Sequence, residues 1–325
     1  MIIKEYKNIY RLRKIWNRLY QTSDKVTNPF QAFIPNRIYF DIFHLNLHRL
    51  LLQPRFIYAK NGSSELIFPI IIDRRRKRIT EFAPLDYYDV LCFGSTKLIS
   101  SAVQWIKNKF PLYEVRFTRV NQSAILSGLA DLSQISTEKC VFIPLDKDTY
   151  EDYYQSLSKH QRQNLRTAYN KLQKENISFF LAKYDKESLP VKLKRECRKM
   201  YEDRKAAKES SVSVLKRVYV RITKPVFRII TEMAPGAFYV LYLGKTPAAV
   251  MAGAFSKKGD QFVVPLLYSN NVYLRYSPGI VLVNEAAKAL ISERVSILDL
   301  ARGDEPYKYA MGGNTHLNYT LGLNA

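Results

Sequence analysis

The residue pattern predicts an α+β fold in two lobes, 1–139 and 140–325, each a mixed, mostly antiparallel sheet flanked by helices. Three observations lead there. A chain of 325 residues is long for one compact core and comfortable for two. In each half the hydrophobic period changes from that of a helix to that of a strand. The runs 238–243, 248–256 and 261–268 are separated by Gly244-Lys245 and Lys257-Lys258-Gly259-Asp260, which is the signature of an antiparallel meander.

In the first half, residues 1–20 place Ile9, Leu12, Trp16, Leu19 and Tyr20 on one helical face, broken at Asn28-Pro29. A second helical stretch covers 39–52 and stops at Pro54. Strands are expected at 55–59 and 66–72, joined by a turn containing Asn61-Gly62. Short strands at 79–82 and 90–93, a helix over 96–109 and a strand at 113–120 follow. The basic run Arg74–Arg78 reads as a solvated turn leading into a strand.

The second half repeats the order of elements, though not the residues. A strand at 140–145 leads to Thr149–Asp152, a capping box in which hydroxyl and carboxylate satisfy helix amides reciprocally. Ser158 with Gln161 opens a basic helix that stops near Asn176, with Leu165, Ala168 and Leu172 as its core face. Helices are expected over 189–208 and 214–233, the latter divided at Pro225. After the meander come a helix at 280–292, with Val283, Ala287 and Leu290 inward, and a buried strand at 297–300.

Composition removes several function classes. Cys92, Cys140 and Cys197 are widely spaced and odd in number, and no Cys-x-x-Cys occurs, so a disulfide framework or zinc site is not expected. His44 and His48 stand four apart without a metalloprotease glutamate and read as a polar helix stripe. No metal is expected. The first residues lack a signal-peptide core, and the longest apolar runs are too short to span a bilayer, so a cytoplasmic protein without a transmembrane segment is expected. Neither a Walker-type loop nor a Gly-x-Ser-x-Gly elbow is present among only 12 glycines. The net charge of +22 favours polyanionic company: nucleic acid, an anionic membrane surface met peripherally, or phosphate-rich ligands such as coenzyme A.

Three segments carry candidate chemistry. The strand, loop and helix from Gln261 to Leu290 offer free amides and a positive helix end to an anion. Pro278 suits the first helical position, Gly279 allows close approach, and Arg275 could pair with a phosphate. In the segment ILDLARGDEPYKYAMGG, Asp304 or Glu305 could act as base and Tyr307 or Tyr309 as proton donor, with Lys308 and Arg302 beside them. The helix bearing Lys159, Arg162 and Arg166 could hold an anionic acceptor or the donor's phosphates.

The segments SLSKHQRQNLRTAYNKLQKE, YSPGIVLVNEAAKAL and LDLARGDEPYKYAMG, in this order, resemble the CelD/BcsL-type acetyltransferases of the GNAT superfamily, relatives of the FemAB peptidyltransferases. RFIYAKNGSSELIFPIII and ITEFAPLDYYDVLCFG resemble that family's N-terminal lobe. The resemblance implies tandem GNAT-like lobes and transfer of an acyl group from acetyl-coenzyme A, or another acyl-coenzyme A, to an amine or hydroxyl. A small-molecule or sugar-precursor acceptor from envelope or polysaccharide synthesis is implied. Aminoacyl-tRNA is the alternative donor, as in the FemAB relatives, and a non-catalytic polyanion binder is the third reading. The implied donor half is the meander with the following helix, including Tyr268, Arg275, Tyr276, Ser277, Pro278, Gly279 and Ile280. The GNAT pyrophosphate pattern is Gln/Arg-x-x-Gly-x-Gly/Ala. Counted from Arg275, its two small places fall on Pro278 and Ile280, with Gly279 between them.

Overall fold

The computed structural model describes residues 1–23, 26, 28–45, 51–207 and 226–323, excepting the side chains of 44, 45 and 204–207. The chain divides into two compact units, Met1–Lys139 with His316–Ala325, and Cys140–Thr315. The first unit comprises β1 (Ile2–Tyr6), α1 (Arg13–Thr22), α2 (Phe33–Leu45), β2 (Leu52–Asn61), β3 (Ser64–Asp73), β4 (Arg78–Glu81), β5 (Leu91–Phe93), α3 (Lys97–Lys109), β6 (Glu114–Asn121) and the start of β7 (Leu132–Pro144). The second continues with α4 (Tyr150–Ser156), α5 (Lys159–Lys174), β8 (Phe179–Tyr184), α6 (Val191–Ala207), α7 (Val226–Glu232), β9 (Gly236–Leu243), β10 (Thr246–Phe255) and β11 (Gln261–Ser269). It ends with α8 (Pro278–Ser292), β12 (Ile297–Arg302), α9 (Pro306–Ala310) and the start of β13 (Asn314–Leu323), which returns to the first unit at His316.

Both units use one device: an antiparallel run, a crossover helix, and a strand parallel to the last of the run. In the first, β1 to β4 pair antiparallel in sequence, α3 crosses over, and β6 lies parallel to β4. In the second, β8 to β11 pair antiparallel, α8 crosses over, and β12 lies parallel to β11. A parallel partner needs a long connection, and a helix with one apolar face supplies it while covering the sheet.

That covering builds the cores. Leu98, Ile99, Ala102, Val103 and Ile106 of α3 are buried against Phe68 and Phe117. In the second unit Val281, Leu282, Val283, Ala286, Ala287 and Leu290 of α8 are fully enclosed with Met251, Phe262, Val264 and Leu298. β9 and β10 are buried almost residue for residue, so they read as continuous apolar runs. Among the described residues, no helix is long and apolar enough to cross a membrane.

Several local expectations change. Residues 2–6 form an edge strand, Ile2 opposite Lys60 through Tyr6 opposite Phe56, and the helix starts only at Arg13. Pro54 lies inside β2 instead of before it. β7 begins at Leu132, eight residues before Cys140; that extension is exposed at seven consecutive positions and carries no apolar alternation. β8 and β13 are additional strands. The tail from His316, grouped by sequence with the second lobe, joins the first unit because Asn318–Gly322 pair with β6. The Thr149–Asp152 capping box forms in full. Ser158 caps Gln161, but Gln161 turns its own amide to the sulfur of Met311 at 3.0 Å. Expected helix residues 214–225, with Pro225, lie outside the described residues, as do His48 and the His44 side chain.

Asp89 pins a turn of the first unit. Its Oδ1 accepts from the amides of Val90 at 2.8 Å and Leu126 at 3.3 Å, and its Oδ2 from Ile125 at 2.8 Å. Burial outweighs these bonds and pushes its carboxyl from 3.8 up to about 7. Between those values the folded chain keeps a proton that the unfolded chain has released. Asp89 therefore stabilises most below the ordinary carboxylate range, and this contribution falls as pH rises towards 7. Urea denaturation at several pH values should show wild type losing stability relative to Asp89→Asn across this window. A constant difference refutes the assignment.

Candidate active site

The second unit opens where β11 and β12 part. Only Gln261–Val263 pair with Ile297–Asp299, and the rest of β11 runs on without β12. Opposite this point β10 carries an irregularity between Ala252 and Ala254. Gly253 is required there: a Cβ would stand 2.1 Å from the Val263 carbonyl oxygen. On the other side, Asp299 Oδ1 accepts from the Ala301 amide at 2.8 Å, and Ala301 adopts a left-handed φ of 53°. This turns β12 away after three paired residues.

Lys308 fixes the new direction. Its side chain is buried, and its Nζ donates to the carbonyls of Leu300 (3.0 Å), Ala301 (3.4 Å), Arg302 (2.9 Å) and Gly303 (3.3 Å). Glu305 Oε2 lies 3.0 Å from the same nitrogen, supplying the counter-charge a buried ammonium needs.

β11 ends in a helical turn over Asn271–Tyr276, capped by Asn270, whose Oδ1 accepts from Val272. Ser277 then takes a left-handed φ of 52°, and Pro278 starts α8. The Ile280 and Val281 amides bond the Ser277 carbonyl, and no side chain caps the helix. The first helical N–H, that of Gly279, has no acceptor among the described residues. A groove of about 390 Å³ lies here, lined by Leu267, Ser269, Asn271, Leu274, Ser277, Pro278, Gly279, Ile280 and Tyr307. Its walls are largely apolar and its end is a positive helix terminus, a combination suited to a chain bearing an anionic group.

Of the donor-site residues expected from sequence, Ser277, Pro278, Gly279 and Ile280 meet in this groove, and Tyr307 joins them. The others face elsewhere. Arg275 lies over the Tyr276 ring, 4.6 Å from its centroid, and pairs with Glu175 at 2.8 Å. Tyr276 is buried beside Leu172 and Leu243 and donates its hydroxyl to Glu175. Tyr268 is buried next to Tyr201, and burial holds its hydroxyl well above the usual tyrosine range.

The Asp-Glu pair is similarly occupied. Asp304 accepts from the Tyr309 hydroxyl, Glu305 belongs to Lys308, and neither lines the groove. Lys308 is enclosed by carbonyls and acts through the loop it holds. On α5, Arg162 donates to the Gln155 and Leu157 carbonyls at 2.7 and 2.6 Å, closing the end of α4. Lys159 and Arg166 are exposed, and Arg302 contributes its carbonyl to Lys308 while its side chain faces solvent. Sequence reasoning passed over Ser269 and Asn271, although the polar end of LLYSNN after an apolar strand was a usable signal.

Replacing Lys308 by Met orphans four carbonyls and leaves Glu305 without its partner. Unfolding free energy should fall by about 2–4 kcal/mol. Denaturant titration measures this, and a loss under about 0.5 kcal/mol contradicts the structural role.

Residues 159–309 match the family model described as an acetyltransferase (GNAT) domain. Solved structures of similar fold extend the likeness to nearly the whole chain. The C-terminal domain of a protein described as a lysylphosphatidylglycerol synthetase, from Agrobacterium fabrum, superposes with a TM-score of 0.60 at 8% identity, covering 98% of this chain and 93% of that one. FemX gives 0.59 at 10% identity, covering 98% and 97%. A tandem GNAT protein from the clavulanic acid biosynthesis pathway gives 0.53 at 6% identity, covering 99% and 98%. Among curated proteins there is no sequence match. At these identities the likeness is one of fold. The architecture is that of tandem GNAT proteins, and the acetyltransferase-domain match spans the segment that builds the groove.

Proposed function

We propose that the chain is an acyltransferase that takes an acyl group, acetyl in the simplest case, from an acyl-coenzyme A held in this groove. The acceptor is an amine or hydroxyl of an envelope or polysaccharide precursor, in keeping with the CelD/BcsL-type resemblance. One observation carries the reading: two parallel strands part near the foot of an uncapped helix, and a groove with apolar walls and an open amide lies between the free end of β11, the start of that helix and Tyr307.

The residues present suit such a donor. The Gly279 amide and the start of α8 would take a phosphate, with the Ser277 hydroxyl beside them. Leu267, Leu274 and Ile280 would flank the uncharged arm. The donor supplies an activated carbonyl carbon and a thiolate leaving group. Tyr307 lines the groove and is the proton donor to the departing sulfur: as the acceptor nitrogen or oxygen bonds the acyl carbon the C–S bond breaks, the thiolate takes the phenol proton, and the proton the acceptor loses restores the phenol. Acceleration then rests mainly on holding the two reactants in register. Arg275, committed to Glu175 and Tyr276, contributes to the shape of the turn more than to charge.

A second reading has its own support. Lys159, Arg166, Lys171 and Lys174 of α5 make no ion pair among the described residues, and Lys171 Nζ lies 3.5 Å from the carbonyl of Arg275, in the turn that precedes α8. Such a ridge suits the backbone of an aminoacyl-tRNA.

Calorimetric titration of acetyl-coenzyme A at two salt concentrations tests the first reading. One molecule per chain is expected. Gly279→Val, whose Cβ would come 3.1 Å from Ser269 Oγ and crowd the open amide, should weaken binding about tenfold, or 1.4 kcal/mol. Absence of binding at both salts sinks the coenzyme A reading. Retention of tRNA on the chain, falling steeply between about 50 and 200 mM salt, would then put the second first.

A further inference from the structure

A second cavity lies on the same unit, between α6 and the ends of β10 and β11, with a volume of about 320 Å³. Its lining includes Glu196, Lys199, Asp203, Thr246, Ser269 and Asn271. Ser269 and Asn271 also line the groove at the start of α8. The two hollows therefore share a wall, and that wall is the polar end of β11.

The charges within the cavity are arranged unusually. Glu196 and Lys199 are three residues apart on α6, a spacing at which opposite charges meet on a helix surface. Both line the cavity, yet neither makes an ion pair or side-chain hydrogen bond among the described residues. The hydroxyls of Thr246 and Ser269 and the amide of Asn271 likewise have no side-chain partner there. An unpaired acid and base facing one hollow, with uncommitted neutral groups behind them, complement a ligand carrying both signs. A purely apolar or purely anionic ligand would leave Glu196 unpaired or repelled.

We propose that this cavity is the acceptor site, and that it takes a small zwitterion with a primary ammonium group. Glu196 receives the ammonium and takes one of its protons, which frees the nitrogen lone pair to attack the acyl carbon. Lys199 receives the anionic end, and Ser269 and Asn271 present the amine side of the ligand to the donor groove. The assignment of this ligand as an acceptor rests on the acyl-transfer reading above. The binding site itself does not.

Binding of three probes to the full chain, followed by chemical-shift changes and titration calorimetry, tests this. The probes are γ-aminobutyrate, which carries both charges, and butylamine and butyrate, which carry one each. The zwitterion should bind about tenfold tighter than either single-charge analogue. Glu196→Gln should abolish its advantage over butyrate, and Lys199→Met its advantage over butylamine. Lys199 is exposed and Glu196 half-buried, and circular dichroism checks that the variants fold. Equal affinities for the three probes, or an advantage that survives both variants, overturns the site. Acetyl-coenzyme A titrated into the same variants separates the two readings. Donor binding with no zwitterion preference removes this site and leaves the acyltransferase, whereas zwitterion binding without donor binding keeps the site and removes the acyltransferase.

Discussion

The geometry of the groove depends on one buried ammonium. Lys308 collects the carbonyls of four successive residues, Leu300 to Gly303, which no regular strand or helix could point at a single atom. They converge because Ala301 and Gly303 both take positive φ values, 53° and 114°. The chain there is bent into a bowl. A strand bent in this way cannot continue beside β11, so the parallel pairing ends at Val263 and Asp299. The helix that carries Lys308 is only five residues long and has little stability of its own. The ammonium and the Tyr153 hydroxyl, which donates to the Met311 carbonyl at 3.0 Å, fasten its two ends. Successive helical residues are turned about 100° apart, so burying Lys308 directs Tyr307 to a different side, that of the groove.

The same bend explains why the charged segment 302–309 is less exposed to chemistry than its composition suggests. Glu305 balances Lys308, and Asp304 receives the Tyr309 hydroxyl, which also lies 3.1 Å from Thr315 Oγ1. These groups hold a loop in place. An ion pair of this kind is costly to enclose and strongly destabilising to break, so it is better suited to fixing a conformation than to adding stability. Within the segment 302–309, Tyr307 is the residue that lines the groove.

The sequence disclosed this architecture wherever pattern and burial agree. The meander and α8 were legible because their residues are enclosed by neighbours of the same sheet, and the Thr149–Asp152 box because capping is local. β1 carries a helix-like pattern: its edge position leaves Ile2 exposed, and Lys4 and Glu5 stand together between Ile3 and Tyr6, which over five residues does not differ from one helical face. β8 was invisible for a related reason, since Phe179 and Phe180 are exposed at an edge and give no core signal. Within the site, Gly279 and Pro278 were legible from backbone chemistry alone. Arg275 was misleading, because its partner Glu175 is a hundred residues away in sequence. Lys308 looked reactive for the same reason, since only the fold reveals the carbonyls around it.

What makes the end of β11 the meeting point of two cavities is the interruption of strand periodicity. Along β11, Val264 faces α8 and Tyr268 faces α6, as pleating and the irregularity opposite Gly253 require. A residue in mid-strand can serve only one of those faces. Ser269 is the last residue of the strand, and the Asn270 side chain immediately folds the chain into a turn by accepting from Val272. The backbone there is no longer a wall between the two faces. Ser269 and Asn271 are thus reachable from the α8 side and from the α6 side alike. A transfer reaction between a donor on one face of a sheet and an acceptor on the other needs such a breach, and in this unit the strand's polar end provides it. The closeness of Gly279 to Ser269 follows from the same requirement: a larger residue at the head of α8 would press on the breach from the donor side.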